Sequence, residues 1–376
     1  MNCDTDRIIA KYLEQRYANK SRDETLSIVF DITQYCNLRC NFCGTNALYT
    51  DKSNIKCDDR EEIISCLHSL YDFALEKHLN VNLFLGGGEP FLRSDTFEIL
   101  KYAASLFGAD NINIDTNGLF PNSTQVIEKA LNYSTIGISV NNDFNEQKRK
   151  LLRKICSDTT NRDRIEVTTV ALKQSVDTIP MLMKEISLYN VKRFSVHRAM
   201  PFGRLKTEMI PSAEEYRRLF VTLIQLSEEC QIDFHMHHSI EHIYASLLNI
   251  KAPSQTICIV VGDTMVTIPK NVRIDKNGTI YISSWGNGRF WNQFSLFNVF
   301  NQELMFDCKD EKDLVKRFLS PNNRCSRCDE AFCRGGDRMA AMAQGMSNHL
   351  NANNADDVCF DYVDMACPKT IKENTK

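Results

Sequence analysis

No apolar run in this sequence approaches the ~20 residues that a membrane-spanning helix needs, which excludes a helical integral membrane protein. The N-terminus, Met1-Asn2-Cys3-Asp4-Thr5-Asp6-Arg7, lacks the apolar core of a secretion signal. Charge of one sign never gathers into a block of five or six, and the formal net charge is −3. A nucleic-acid platform would need a basic stripe to neutralise phosphates, and the sequence has none. Nothing repeats with a coiled-coil period, so a monomer or weak dimer is expected. Cysteine, by contrast, is abundant: 15 in 376 residues. In a secreted chain that number would suggest disulfides. Without a signal, in a chain long enough for a large core and two lobes, it points to a reducing cytosol and to metal ligation.

The patterning alternates strand and helix. A strand-like stretch, Leu26–Ile32, opens the series. Glu61–Lys77 reads as a helix with Ile63, Ile64, Leu67, Leu70 and Tyr71 on its apolar side. Strand Val81–Leu85, helix Ser94–Leu106 and strand Ile112–Asp115 follow. Then come helix Thr124–Leu131, strand Thr135–Val140, helix Glu146–Ile155 and strand Arg164–Leu172. Helix Thr178–Tyr189 and strand Arg193–Arg198 close the run. Strands alternating with helices of this length imply parallel crossover units, curling into an open α/β barrel. Chemistry in such folds sits at the C-terminal ends of the strands.

Three cysteines, Cys36, Cys40 and Cys43, follow the first strand in the run Cys36-Asn37-Leu38-Arg39-Cys40-Asn41-Phe42-Cys43. Three thiolates on one short loop can hold three irons of a four-iron cluster and leave the fourth iron open to another ligand. The spacing alone equally allows a zinc site with a distant fourth ligand. The next strand ends in Gly86-Gly87-Gly88-Glu89-Pro90. The two elements together resemble the radical S-adenosylmethionine (radical SAM) enzymes. The resemblance implies a partial six-strand barrel, (β/α)6, in which the open iron chelates the amino and carboxylate groups of S-adenosylmethionine.

The resemblance carries over residue by residue. Gly87, Gly88 and Glu89 are expected beside the methionine part of S-adenosylmethionine, where glycine allows the backbone to come close. Asn117, at its strand end, matches a cofactor-contacting position, and Asn-Gly is also a strong turn signal. Ser139 matches a position contacting the methionine or ribose part, although Asn141 and Asn142 stand where Ser-x-Asp is more common. The segment His197-Arg198-Ala199-Met200-Pro201-Phe202-Gly203-Arg204 resembles the one that closes the barrel in peptide-modifying members. Arg198 there is expected either to face the cofactor carboxylate or to pack at the surface.

The C-terminal third resembles the SPASM extension of the same enzymes, a small cysteine-rich α+β domain that usually holds two auxiliary clusters. Its elements are Cys325-Ser326-Arg327-Cys328, Cys333-Arg334-Gly335-Gly336-Asp337 and Ala355-Asp356-Asp357-Val358-Cys359. Cys258 matches the domain's first cysteine. Asp337, and Ser283 after Gly278, replace cysteines of the full pattern. Serine and aspartate are poor cluster ligands beside thiolate. One auxiliary 4Fe–4S cluster on Cys325, Cys328, Cys333 and Cys359 is therefore expected, with Cys367 as a rival to Cys359. A zinc knuckle on the same four cysteines is the alternative.

The expected layout is an N-terminal helical extension over 1–24 and a radical SAM barrel over 25–205. Bridging helices and a strand over 206–254 lead to the SPASM-like domain over 255–376. The chain begins roughly two dozen residues before its first strand. A leader-peptide recognition domain is thus not expected there, and leader binding falls to another surface or a separate protein.

Cys258, Cys308 and Cys367 are left as spare thiols. Cys258 and Cys367 are candidate hydrogen-atom donors, as in related peptide epimerases, or else small buried residues. Cys66 and Cys156 lie on helical patterns and read as core, and Cys3, Cys57 and Cys230 carry no signal. His235, His237, His238 and His242 cluster at a strand end, where loop or substrate-contacting roles suit them better than metal ligation.

The resemblance implies reductive cleavage of S-adenosylmethionine to a 5′-deoxyadenosyl radical. That radical would abstract hydrogen from a ribosomally made peptide or a protein, with an external one-electron donor such as flavodoxin or ferredoxin. A side-chain cross-link is the leading expectation, and epimerisation follows. Dehydrogenation or decarboxylation of a small molecule, and a non-catalytic iron–sulfur protein, are the other readings.

Overall fold

The structure is a computed structural model and describes residues 3–18, 25–141, 143–237, 240–283, 294–307, 309–310 and 315. Cys308, Cys325, Cys328, Cys333, Cys359 and Cys367 lie outside the described residues, as do Asn142, His238 and Asp337.

The strands in chain order are β1 (Thr25–Thr33), β2 (Tyr35–Cys36), β3 (Leu48–Tyr49), β4 (Asn80–Gly87), β5 (Ile112–Thr116), β6 (Thr135–Ser139) and β7 (Ile165–Ala171). They continue with β8 (Arg193–Arg198), β9 (Asp233–Met236), β10 (Thr256–Val261), β11 (Thr264–Pro269), β12 (Asn271–Ile274), β13 (Thr279–Tyr281) and β14 (Ser295–Asn298). The α-helices are α1 (Cys3–Tyr17), α2 (Arg60–Glu76), α3 (Thr96–Phe107), α4 (Ser123–Ala130), α5 (Glu146–Ile155), α6 (Thr159–Arg162), α7 (Ile179–Ser187), α8 (Ala213–Cys230) and α9 (Ile240–Leu247).

Ten of the described strands form one sheet, in the order β14-β13-β12-β1-β4-β5-β6-β7-β8-β9. From β12 through β9 every neighbouring pair is parallel. The parallel arrangement follows from the helical crossovers between successive strands. β1 shows how each strand divides its side chains: Leu26, Ile28, Phe30 and Ile32 are buried in the core, while Ser27, Val29 and Asp31 turn to the opposite face. Val81, Leu83 and Leu85 on β4, and Ile112 and Ile114 on β5, repeat the pattern. They join a single hydrophobic core with the apolar stripes of the helices, Ile63, Leu67 and Leu70 of α2 among them. The other face lines the lumen of the partial barrel.

The pattern of Asp233–Met236 reads as a bridge beyond the barrel, but in the structure β9 hydrogen-bonds to β8 and continues the parallel sheet. At the other edge β12, from the C-terminal part, pairs with β1. Both edges of the six-strand unit β1, β4–β8 are thereby covered, which removes two rows of unpaired backbone groups. Helix α1 lies against α8 and α9. It buries Ile9 and Leu13, and the Tyr12 ring sits edge-on to Phe220 at 5.6 Å and 5.1 Å from Phe234. α8 begins with a reciprocal cap: Glu215 N–H donates to Ser212 Oγ, and Ser212 N–H donates to the Glu215 carboxylate. The C-terminal ends of β1, β4, β5, β6 and β8 gather on one rim.

Candidate active site

The cysteine loop stands on that rim, between β2 and β3. These two short strands pair in parallel and pin its ends: Leu48 N–H donates to Gln34 O at 2.8 Å and Thr50 N–H to Cys36 O at 2.9 Å. Cys36, Cys40 and Cys43 are half-buried free thiols. Burial pushes the Cys36 thiol up to about 11, with Glu89, Cys40 and Cys43 adding to the rise and the Leu38 N–H opposing it. Burial raises Cys40 as well, and the neighbouring Cys43 contributes. A positively charged iron centre would reverse both effects and favour the thiolates.

The glycine strap runs beside the residues leading into the loop. Gly88 N–H donates to Thr33 O at 2.9 Å and Glu89 N–H to Tyr35 O at 2.8 Å. A Cβ on Gly88 would collide with the Tyr35 carbonyl, and one on Gly87 with that of Thr33. Gly87 also holds φ at +109°, a conformation few L-residues adopt. The Thr45 hydroxyl reaches across from the loop to Gly87 O at 3.1 Å.

Glu89 has a role the sequence did not reveal. Its carboxylate is buried, and three donors fill it: Thr116 Oγ1 at 2.8 Å, Asn117 N–H at 2.8 Å and Phe91 N–H at 3.2 Å. It locks the end of β4 to the end of β5. Burial still pushes its pKa up to about 7, against the pull of those donors and of Lys148. Asn117 makes the expected turn and also reaches the cysteine loop. Its Oδ1 accepts from Leu119 N–H at 2.7 Å, which makes the turn, while its Nδ2 donates to Asn37 Oδ1 at 2.9 Å and lies 3.9 Å from Cys36 Sγ.

The far side of the rim grips the loop through backbone carbonyls. Gly203, at φ +61°, approaches Cys43 and Gly44 so closely that a Cβ would strike their oxygens. Arg204 N–H donates to Cys43 O at 3.0 Å, its Nε to Cys40 O at 2.8 Å and its Nη1 to Ala47 O at 2.9 Å. Arg198 is buried at the end of β8. Both arginines belong to the segment singled out in the sequence, but Arg204 is the one seen to hold the loop. Ser139 Oγ accepts from Asn141 Nδ2 at 3.0 Å, and its carbonyl takes the Lys148 ammonium at 2.5 Å. Lys148 is fully buried on α5 and paired with Asp143 at 2.7 Å. Burial draws its pKa down while Asp143 opposes. Beneath β1, the buried Arg93 guanidinium binds Asp95 through two bonds, Asp59 at 2.7 Å and Ile32 O at 2.7 Å.

The other expected positions are more scattered. Cys66 and Cys156 are core residues. Cys258 is exposed on the β10–β11 hairpin, 3.2 Å from Thr267 Oγ1, and Ser283 is buried after β13. His235 and His237 stack at 5.3 Å on the lumen side of β9, and His197 stacks on His237 at 5.0 Å. Among the described residues no three His, Cys, Asp or Glu side chains converge as ligands of a single ion. A four-iron cluster makes a different demand, one thiolate at each of several separated corners. Three free thiols on a loop fixed from both sides suit that demand.

Residues 30–188, from within β1 to the end of α7, match the family model of the Radical SAM superfamily. These residues thus resemble a radical SAM domain, a family that holds a 4Fe–4S cluster with S-adenosylmethionine. It is 22% identical over 345 residues to the mycofactocin maturase MftC of Mycolicibacterium smegmatis, covering 86% of this chain and 81% of that protein. It is 31% identical over 126 residues to the GTP 3′,8-cyclase of Aquifex aeolicus, covering 33% of this chain. The matched part spans only 37% of that cyclase and 26% of the one from Listeria welshimeri. The crystal structure of Streptococcus suis SuiB bound to its precursor peptide SuiA shares the fold, with TM-score 0.57 and 17% identity over 96% of this chain and 79% of SuiB. Among the described residues no helix is long and apolar enough to cross a membrane.

Proposed function

We propose that this chain is a radical SAM maturase acting on a ribosomally made peptide, with Cys36, Cys40 and Cys43 each ligating one iron of the 4Fe–4S cluster. The observation that carries this reading is the loop itself: three free thiols held in place by Thr45 to Gly87, by Asn37 to Asn117 and by Arg204. When bound, the cluster and S-adenosylmethionine supply a 5′-deoxyadenosyl radical that takes a hydrogen atom from the substrate. The chain's own residues fix geometry. The backbone of Gly87 and Gly88 borders the loop, Glu89 and Asn117 set the β5 turn beside Cys36, and Ser139 and the buried cations Lys148 and Arg198 supply hydrogen bonds and charge for the cofactor's polar groups.

The peptide substrate is supported by the similarity to a maturase over most of both chains, and by the shared fold with an enzyme solved on its precursor peptide. Installation of a side-chain cross-link is the reaction proposed, with epimerisation as the second choice. Cys325, Cys328, Cys333 and Cys359 would hold an auxiliary 4Fe–4S cluster, a reading supported by their sequence pattern alone. Flavodoxin or ferredoxin in the cytoplasm would supply the electron. One observation favours a small-molecule substrate instead, the 31% identity to a GTP cyclase, but it is confined to 126 residues.

The test is anaerobic turnover with S-adenosylmethionine and dithionite, followed by mass spectrometry of short peptides encoded beside the gene. A cross-link removes the mass of one dihydrogen. Epimerisation leaves the mass unchanged in ordinary water and adds deuterium in heavy water. Turnover of GTP or another metabolite without any peptide would overturn the maturase reading.

A further inference from the structure

Inside the barrel, below the rim, lies a set of polar residues that the cysteine loop does not use. The strand registers set Asp31, Gly86, Asp115, Gly137 and Glu166 in one row across β1, β4, β5, β6 and β7, on the lumen face. Asp31 is committed to an ion pair with Arg273 of β12. Asp115 is different. It is exposed to the open lumen, and among the described residues it has neither a hydrogen bond nor an ion pair. Its carboxylate lies directly over Gly137, in the space a Cβ would need. On its other side, Gly86 has no atom within 4 Å of where a side chain would begin. Two glycines thus flank a carboxylate, one making room for it and the other leaving open space beside it.

The next strands complete the wall. Glu166 accepts the hydroxyl proton of the fully buried Ser195, and His237 Nε2 stands 3.0 Å from the same hydroxyl. His197 stacks on His237, and burial together with His237 pulls its pKa down to about 3, so the ring is neutral near pH 7. The lumen therefore presents the Asp115 and Glu166 carboxylates and the neutral His197 ring, with the Ser195 hydroxyl donating to Glu166. Desolvation inside the barrel and the neighbouring Glu166 push Asp115 up to about 7. The neighbouring Glu166 disfavours the Asp115 charge, and an arriving cation would relieve it. The position relative to the loop is also fixed. Asp115 precedes Asn117 by two residues on the same strand face, a rise of roughly 6–7 Å, and the Asn117 amide lies 3.9 Å from Cys36 Sγ.

We infer that the lumen is a recognition subsite for a cationic donor group, an ammonium or guanidinium, held by Asp115 and Glu166 and admitted by the open space at Gly86. On the proposed function, which alone identifies this ligand as substrate, the group belongs to a lysine or arginine side chain of the peptide. Its aliphatic stem would then lie between the lumen carboxylates and the cysteine loop, and the modified carbon would be on or next to that residue.

The test uses the full-length, cluster-reconstituted chain and three blocked tripeptides, Gly-Lys-Gly, Gly-Arg-Gly and Gly-Met-Gly, with binding followed calorimetrically. The cationic peptides should bind at least about tenfold more tightly than the neutral one, as expected for charge-assisted hydrogen bonds. Asp115→Asn should erase that preference. Gly86→Leu, whose Cβ would enter the open space beside Asp115, should weaken both cationic peptides and decides the matter if Asp115→Asn fails to fold. Equal binding of the three peptides, an unaffected preference in Asp115→Asn, or displacement of the cationic peptides by millimolar magnesium would overturn the inference. If the preference holds but the wild-type chain releases no 5′-deoxyadenosine from S-adenosylmethionine, the subsite stands and the proposed function falls.

Discussion

The rim and the lumen of the barrel use charged residues in opposite ways. At the rim, charge is compensated from within. Arg204 serves loop carbonyls, Arg93 serves two aspartates and a carbonyl, Lys148 serves Asp143 and Ser139 O, and the Glu89 carboxylate accepts three hydrogen bonds. In the lumen, Asp115 has no such partner among the described residues, and Glu166 accepts from a single hydroxyl. A buried ionic group that is fully served fixes geometry, whereas one left unserved is available to something that arrives. On the proposed function the rim would be a preorganised mount for the cofactor, and the lumen the part left open for recognition.

Breaking the rim should cost most. Arg93→Met leaves Asp95 and Asp59 without their shared cation beneath β1, and should lower unfolding stability by about 3–5 kcal/mol in urea denaturation, as for other broken buried pairs. Gly88→Ala drives a Cβ into the Tyr35 carbonyl. It should cost about 1–3 kcal/mol by the same assay and reduce iron retention, since the strap displaced is the one that positions the loop entry. The smallest effect belongs to the lumen and depends on pH. Asp115 keeps its proton to about 7 in the folded chain, whereas an unfolded aspartate loses it near pH ~4. The folded state thus binds more protons across that window, and this group's contribution to stability falls as pH rises through it. His197 acts the other way, losing stability as pH drops below its ordinary range. The contrast between wild type and Asp115→Asn isolates the carboxylate: the variant should gain melting temperature relative to wild type at pH 8 compared with pH 5. A difference independent of pH would place Asp115 among the compensated residues of the rim.

Much of the frame was legible in the sequence because it is written locally. Helix α5 and strand β8 have the bounds read from the pattern alone, and α2, α3 and α7 differ from their readings by only a few residues. Asn145 caps α5 by accepting from Lys148 N–H, and β-branched or aromatic residues fill the strands. What the pattern could not supply is which strands become neighbours. β9 and β12 are separated from β8 and β1 by long stretches of chain, and their own few residues say nothing of a partner. The same limit applies to the site. The motif locates Glu89 but not the direction of its side chain, which turns to β5 rather than toward the loop. The segment holding Arg204 stood out, but its partners, loop carbonyls distant in sequence, were not readable, and Lys148 carried no spacing signal. The lumen set is spread over several strands and a strand end, and only the register brings it together.

The most direct test of the central claim is electron paramagnetic resonance of the dithionite-reduced, anaerobically reconstituted protein, with and without S-adenosylmethionine. Wild type should show a reduced 4Fe–4S signal that changes when S-adenosylmethionine is added. The Cys36→Ala/Cys40→Ala/Cys43→Ala variant should lose that responsive signal together with about four irons per chain. A signal that still responds in the triple variant would contradict the assignment of the cluster to this loop.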